Sequence, residues 1–217
     1  MARTARERSL CPPFARRVAR VQDAPTPPAW LTAATGVRDH PAMPAILAPA
    51  AIRDRLARFP AALRAATAVV ASADHRWKPA PQHWSILEIC SHLLDEERED
   101  FRVRANLTLR DPALEWPPLD LAGIAERRGY NQRDLAAVLA EFETERAASV
   151  AWLDSLGDAA DWTRARMHPV RGLLAAGMLL ASWTAHDALH LRQIARRLHD
   201  LAARDAGPYE IGYAGEW

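Results

Sequence analysis

His186 and His190 stand four residues apart in H-D-A-L-H. On a helix that spacing puts both imidazoles on one face, one turn apart, so a single helix can offer two nitrogens to one metal ion. The same spacing also arises by chance, and the bland alternative is a solvated or capping pair. At about 100° per residue, Leu180, Asp187, Leu191, Ile194 and Leu198 gather on one side of this segment. His186 and His190 fall at the border of that face, beside Trp183, where a buried ring nitrogen needs a partner. His92 is the third candidate. It sits two turns inside another helical segment, next to Ile89 and Leu93, with Glu88 and Glu96 one turn to either side. Either carboxylate could orient the imidazole, or Glu96 could be a fourth ligand. For the other acids of the run Asp95-Glu96-Glu97-Arg98-Glu99-Asp100, plain solvent exposure is the expectation.

Three neutral imidazoles with an open position suit Zn²⁺, Ni²⁺, Fe²⁺ or Mn²⁺, and the residue types do not choose among them. Two neighbouring chemistries are disfavoured. A di-iron carboxylate bundle needs a Glu-x-x-His on each of two helices with further inward Glu residues, and the chain lacks these motifs. A zincin protease needs Glu directly after the first His, where Asp187 stands. Cys90 lies about 200° around the helix from His92 and belongs to the core. His40, His75, His83 and His199 fall in the tail, a Pro-rich turn or a helix end. His168, before Pro169, could help close a site or simply shape a turn.

The elements that must position these residues are helical. Ile52, Leu56 and Phe59 fit a short amphipathic piece, and Pro60 could open a second as its first-turn residue. Ser85-Ile-Leu-Glu88 is a capping box, and the apolar face behind it predicts a helix to about residue 107. The connection that follows holds Pro112, Trp116, Pro117, Pro118 and Gly129. It is too long for a simple turn, and such loops often cover a site. Asn131 is a plausible cap for a third helix ended by Gly157, and a last helix is expected from about Val170 to His199. No strand pattern or repeat is evident. Four helical segments joined by long connections predict an all-α four-helix bundle.

The chain has 217 residues, 49% hydrophobic and 25% charged, enough for a normal core, and a formal net charge of +1. That balance offers no case for nucleic-acid or membrane attraction. Lys78 is the only lysine, and the Arg, Ala and Pro content reads as genomic coding bias before function. Residues 1–42 carry seven Arg against Glu7, Asp23 and Asp39, a net of +4, which leaves the remainder at −3 against the total of +1. With six prolines and no hydrophobic period, this stretch predicts a disordered basic extension, and Met43 is an alternative start. The expected organisation is therefore an extension over 1–42, a bundle over 43–205 and a C-terminal tail over 206–217. Cys11 and Cys90 form no disulfide framework or zinc pattern, so a reducing cytoplasm is the expected compartment. No apolar run approaches a membrane-spanning helix, and the basic N-terminus lacks the apolar stretch of a secretion signal.

The stretch W84-S-I-L-E-I-C-S-H-L-L-D-E-E97 resembles the second helix of the DinB/YfiT-like metalloprotein superfamily, and H168-P-V-R-G-L-L with W183-T-A-H-D-A-L-H-L-R-Q-I194 is similar to its fourth. The likeness covers about residues 44–199. It implies a four-helix bundle with a long crossover connection, holding one divalent metal through His92, His186 and His190. It also implies a homodimer and a small-molecule substrate. Similar proteins use a low-molecular-weight thiol in transferase or isomerase reactions, or are assigned as hydrolases; no substrate-specific signature is matched. In an enzyme of this kind Glu96 or Asp187 would orient a ligand or move a proton, and Trp84, Trp116 and Trp183 would line an apolar pocket or belong to the core. The other classes are a non-catalytic, stress-associated metal- or ligand-binding bundle, and a metal-free scaffold whose basic tail meets acidic partners.

Overall fold

The computed structural model describes residues 47–118 and 123–215, all within one compact unit. The expected extension, its boundary at residue 42 and Met43 lie outside the described residues. The elements are α1 (Pro49–Thr67), α2 (Ile86–Glu99), α3 (Phe101–Arg110), the short α4 (Ile124–Arg127), α5 (Leu135–Leu156), a hairpin of β1 (Ala165–His168) and β2 (Gly172–Ala175), and α6 (Ala176–Asp205). Four rods build the bundle: α1, α2 continued by α3, α5 and α6. α1 packs on α5 and α6, while α2 and α3 also pack on α5 and α6. Consecutive rods α1 and α2 therefore stand across the bundle from each other, as do α5 and α6. The connections 68–85 and 157–175 cross it. Among the described residues, no helix is long and apolar enough to span a membrane.

The capping box is present at the start of α2. Ser85 Oγ accepts from the Glu88 amide at 3.1 Å, and Glu88 Oε2 accepts from the Ser85 amide at 2.8 Å. Such a cap stabilises the helix by about 1 kcal/mol. Lys78 Nζ donates to the other Glu88 oxygen at 3.0 Å. Glu88 is thus a buried structural group and does not orient His92. Asn131 is not the cap of α5. It lies in a tight turn and accepts from Ser85 Oγ at 2.7 Å, whereas Asp134 Oδ1 accepts from the Ala137 amide at 2.9 Å.

Three further boundaries depart from the sequence expectation. The predicted helix to residue 107 is interrupted at Asp100 (ψ −90°), and the rod resumes as α3 to Arg110. α1 runs unbroken through Pro60. A proline there removes the amide that would bond the Leu56 carbonyl, and Arg146 Nη1 donates to that carbonyl at 3.2 Å instead. The last helix begins at Ala176 because residues 172–175 pair with β1, His168 opposite Gly172. Gly172 takes φ +74° at the end of the turn, a conformation that favours glycine. Each strand has only four residues, too few for an alternating pattern to stand out. The first amides of α6 are met by backbone, Ala176 to Arg164 O at 2.8 Å and Gly177 to Trp162 O at 2.9 Å, so no side-chain cap marks that start.

Two apolar clusters fill the bundle. One gathers Phe59, Leu63, Leu87, Cys90, Leu139 and Phe142 with their neighbours. The other holds Ile52, Leu56, Phe101, Leu153, Leu180 and Trp183. Between them lies Arg146, 1% exposed, its guanidinium 4.8 Å from the Phe142 ring centre and 5.7 Å from that of Trp183.

Candidate metal centre

α2 brings His92 to α6, where His186 and His190 stand one turn apart. One nitrogen from each ring lies within 4.8 Å of the others, and these three form the grouping. His92 is 5% exposed and the other two are half-buried. Nε2 of His186 and Nε2 of His190 are 3.1 Å apart. Two nitrogens bound to one tetrahedral Zn²⁺ at about 2.0–2.1 Å would be about 3.3 Å apart, so the pair is spaced to share an ion. His190 Nδ1 donates to Gln193 Oε1 at 2.9 Å, which leaves the Nε2 lone pair directed at His186. His92 Nδ1 is buried without a hydrogen-bond partner.

The electrostatics keep these rings neutral. Burial lowers the His92 imidazole to about 3, and the neighbouring His190 and His186 add to the effect. Burial also lowers His186 to about 4, with His190 and Arg146 contributing. His190 is lowered by burial, opposed by its bond to Gln193. A neutral imidazole is the form that ligates a metal. Burial, an unpartnered nitrogen and the 3.1 Å approach together fit a divalent ion better than a solvated pair.

The carboxylates sort differently from expectation. Glu96 is not part of the three-ring grouping; its Oε1 stands 3.9 Å from His92 Nδ1, beyond hydrogen-bond reach. Burial raises its carboxyl to about 8, assisted by a hydrogen bond shared with Asp100. Asp187 turns away from the histidines and receives Arg146 in a two-pronged bond at 2.7 and 2.9 Å. Burial raises Asp187 to about 6, against the pull of Arg146 and with the Glu97 charge adding to the rise. It is not part of the three-ring grouping. Glu97, expected in solvent, is 1% exposed; it meets Arg146 Nη2 at 2.9 Å and accepts from Trp183 Nε1 at 3.0 Å. Asp95 is also buried, accepting from Tyr130 Oη at 2.6 Å. Cys90 lies in the core as expected, its thiol pushed up to about 12 by burial.

Of the tryptophans, Trp183 is core, stacked on Phe101 at 5.6 Å. Trp84 covers the centre, its ring centre 4.8 Å from that of His92 and near-parallel to His190. Trp116 lines a cavity of about 450 Å³ that reaches His186. His168 lines the same cavity while its Nδ1 accepts the amides of Val170 and Arg171, both at 3.1 Å, so it both shapes a turn and faces the site. A second cavity of about 340 Å³ touches His92 and His190 and is lined by Gln82, His83, Gln193 and Arg197.

Residues 55–194 match the model of the DinB superfamily. The chain belongs to the DinB superfamily. Among solved structures, the chain resembles YfiT from Bacillus subtilis, described as a probable metal-dependent hydrolase with an unusual four-helix bundle topology. The identity is 19% and the TM-score 0.63, over 71% of this chain and 87% of that one, a likeness of fold. None of the curated proteins compared matches the chain. In this DinB-superfamily chain, Gln193 and Arg146 escaped sequence reasoning although both carry a signal. Gln193 follows His190 by three residues, on the same face. Arg146 occupies the apolar stripe of α5, between Phe142 and Ser149, where a charge must be paired.

Proposed function

We propose that His92, His186 and His190 hold one divalent metal ion, and that the protein is a metal-dependent enzyme acting on a small molecule, as a thiol-dependent S-transferase or a hydrolase. The observation that carries the reading is the trio of neutral, inward-facing imidazoles, with two Nε2 atoms 3.1 Å apart and His92 Nδ1 unpartnered. When bound, the ion supplies Lewis acidity that makes a water or thiol nucleophilic near neutral pH.

The chain's own residues do the remainder. Gln193 fixes the tautomer of His190, and Trp84 shields His92 and His190 from water on one side. Glu96 stands behind His92, its Oε1 3.9 Å from Nδ1. The grouping offers three protein ligands and no fourth among the described residues, which leaves a position open for a reactant and favours a catalytic site over a closed structural one. The superfamily membership and the description of YfiT support the same reading. A reducing cytoplasm, where low-molecular-weight thiols are kept reduced, is the compartment it calls for.

Elemental analysis of the native protein tests the first step. One divalent ion per chain is expected in the wild type and none in His186→Ala; a metal-free wild type would sink the proposal. Turnover by the metal-loaded protein, assayed with thiol and electrophile pairs and with esters, tests the second. A loaded protein that binds no thiol and turns over neither class leaves a non-catalytic metal-binding bundle.

A further inference from the structure

The cavity that reaches His186 is built from four separate pieces of chain, and two arginines hold them together. Arg164 Nη1 donates to Leu109 O at 2.7 Å, and Arg166 Nη1 donates to the carbonyls of Pro112 and Leu114. These bonds pin the segment after α3 to the β-hairpin and set Trp116 over the cavity. Trp116 is itself fixed, its Nε1 donating to Thr108 Oγ1 at 3.2 Å.

Around Trp116 the cavity gathers positive charge and hydrogen-bond donors. The Arg104 guanidinium lies 5.0 Å from the Trp116 ring centre, and the His168 ring centre is 6.0 Å away. Because His168 Nδ1 already accepts two backbone amides, its neutral ring carries the proton on Nε2 and can donate. Arg171 lines the cavity, is exposed, and makes no ion pair among the described residues. Arg104 pairs with Asp100 at 2.7 Å. Two guanidinium groups against one carboxylate leave a single positive charge. Asp100 and Ser182 also line the cavity, and the remainder, including Phe101, Met178, Leu179 and Leu189, is apolar.

We propose that this cavity takes a small organic carboxylate with a flat apolar body. The carboxylate is anchored by Arg171 with help from Arg104 and His168, the body lies against Trp116, and the far end is presented at His186. One unmatched positive charge suits a carboxylate monoanion better than a phosphate dianion. Planar guanidinium donors suit a carboxylate's two oxygens, and an apolar lining with a few convergent polar groups is the usual form of a small-molecule site. The reactive end rests on the reading of His186 as a metal ligand, whereas the anchor does not.

The test is calorimetric titration of the full-length protein with naphthoate and with neutral naphthamide, in metal-loaded and chelator-treated samples. Naphthoate should bind about tenfold more tightly than the amide, the effect of one charge-assisted contact. Arg171→Gln, at an exposed turn position that leaves the fold intact, should remove that preference without changing amide binding or metal content. Trp116→Ala should weaken both probes alike. The proposal is overturned if naphthoate does not bind, if both probes bind equally to the wild type, or if Arg171→Gln keeps the preference. It is equally overturned if the preference disappears with the metal, since the carboxylate would then sit on the ion. A protein that carries no metal yet keeps the preference upholds the anchor while the metal reading fails.

Discussion

α2 and α6 supply two polar clusters side by side, and the clusters behave differently. His186 and Asp187 are adjacent on α6, and His92 and Glu97 are five residues apart on α2. Asp187 and Glu97 converge on Arg146, which also donates to the Leu56 carbonyl freed by Pro60, and Trp183 completes the group. Within that cluster only Arg146 Nε and Glu97 Oε1 lack a protein partner. The histidines, a few residues away on the same two helices, leave their nitrogens facing one another. The closed group spends most of its polar atoms on one another and holds two apolar clusters together; the open group turns the lone pairs of neutral rings toward one another, for something the chain does not supply. Burial of polar residues therefore does not identify a site. Convergence of ring nitrogens does, and only the histidines show it.

Breaking the closed cluster should produce the largest effect. Arg146→Met strands two carboxylates and a carbonyl in the interior, and a loss of about 3–5 kcal/mol in denaturant unfolding is expected. A loss below about 1 kcal/mol would mean that the cluster is not the bundle's internal tie. The open cluster should register in acid. Folded His92 stays neutral down to about pH 3, whereas the unfolded chain takes up that proton near pH 6.5. Its contribution is therefore intact above pH 6.5 and lost progressively as pH falls toward 3. For the metal-free protein, this amounts to about 2 kcal/mol at pH 5. Comparing urea midpoints of wild type and His92→Gln at pH 7 and pH 5 checks it; parallel behaviour would count against a buried neutral ring.

Gln193→Ala should weaken metal binding by about tenfold, since it removes the partner that orients His190. Competition titration with a chelator reads this, and an unchanged affinity would make Gln193 a bystander. The smallest effect sharpens the closed cluster. Pro60→Ala restores a helical amide to Leu56 O, so Arg146→Met should cost about 1 kcal/mol less in that background. A strictly additive double mutant would show that the Arg146–Leu56 bond carries no weight.

Much of the frame was legible because it is local. The Ser85–Glu88 box needs only four residues, and the stripe Ile86, Ile89, Leu93, Leu94 needs only helical periodicity. The end of α5 at Gly157 follows from one glycine. The three histidines were legible as candidates for the same reason: H-x-x-x-H is a statement about one helix, and His92 lies on the edge of one face. What misled was also local logic. The acidic run 95–100 reads as solvated until α5 and the turn at Tyr130 cover it. Asn131 reads as a cap until Ser85, distant in sequence, claims its side chain. The hairpin 165–175 has strands too short to carry a period and is held by Arg164 and Arg166 to the segment after α3.

The sequence alone determined the rods, their apolar faces and that His186 and His190 share one face, since each depends on spacing along a single helix, whereas His92 joins them only because α2 packs on α6. Only the tertiary structure decided that His186 and Asp187, neighbours in the chain, serve different clusters. Adjacent residues on a helix point about 100° apart, and what each meets depends on the rods that flank α6. Tertiary packing also chose between Glu96 and Glu97, sending one behind His92 and the other to Arg146. A buried charge goes where a counter-charge waits, and Arg146 lies on another helix, far along the chain.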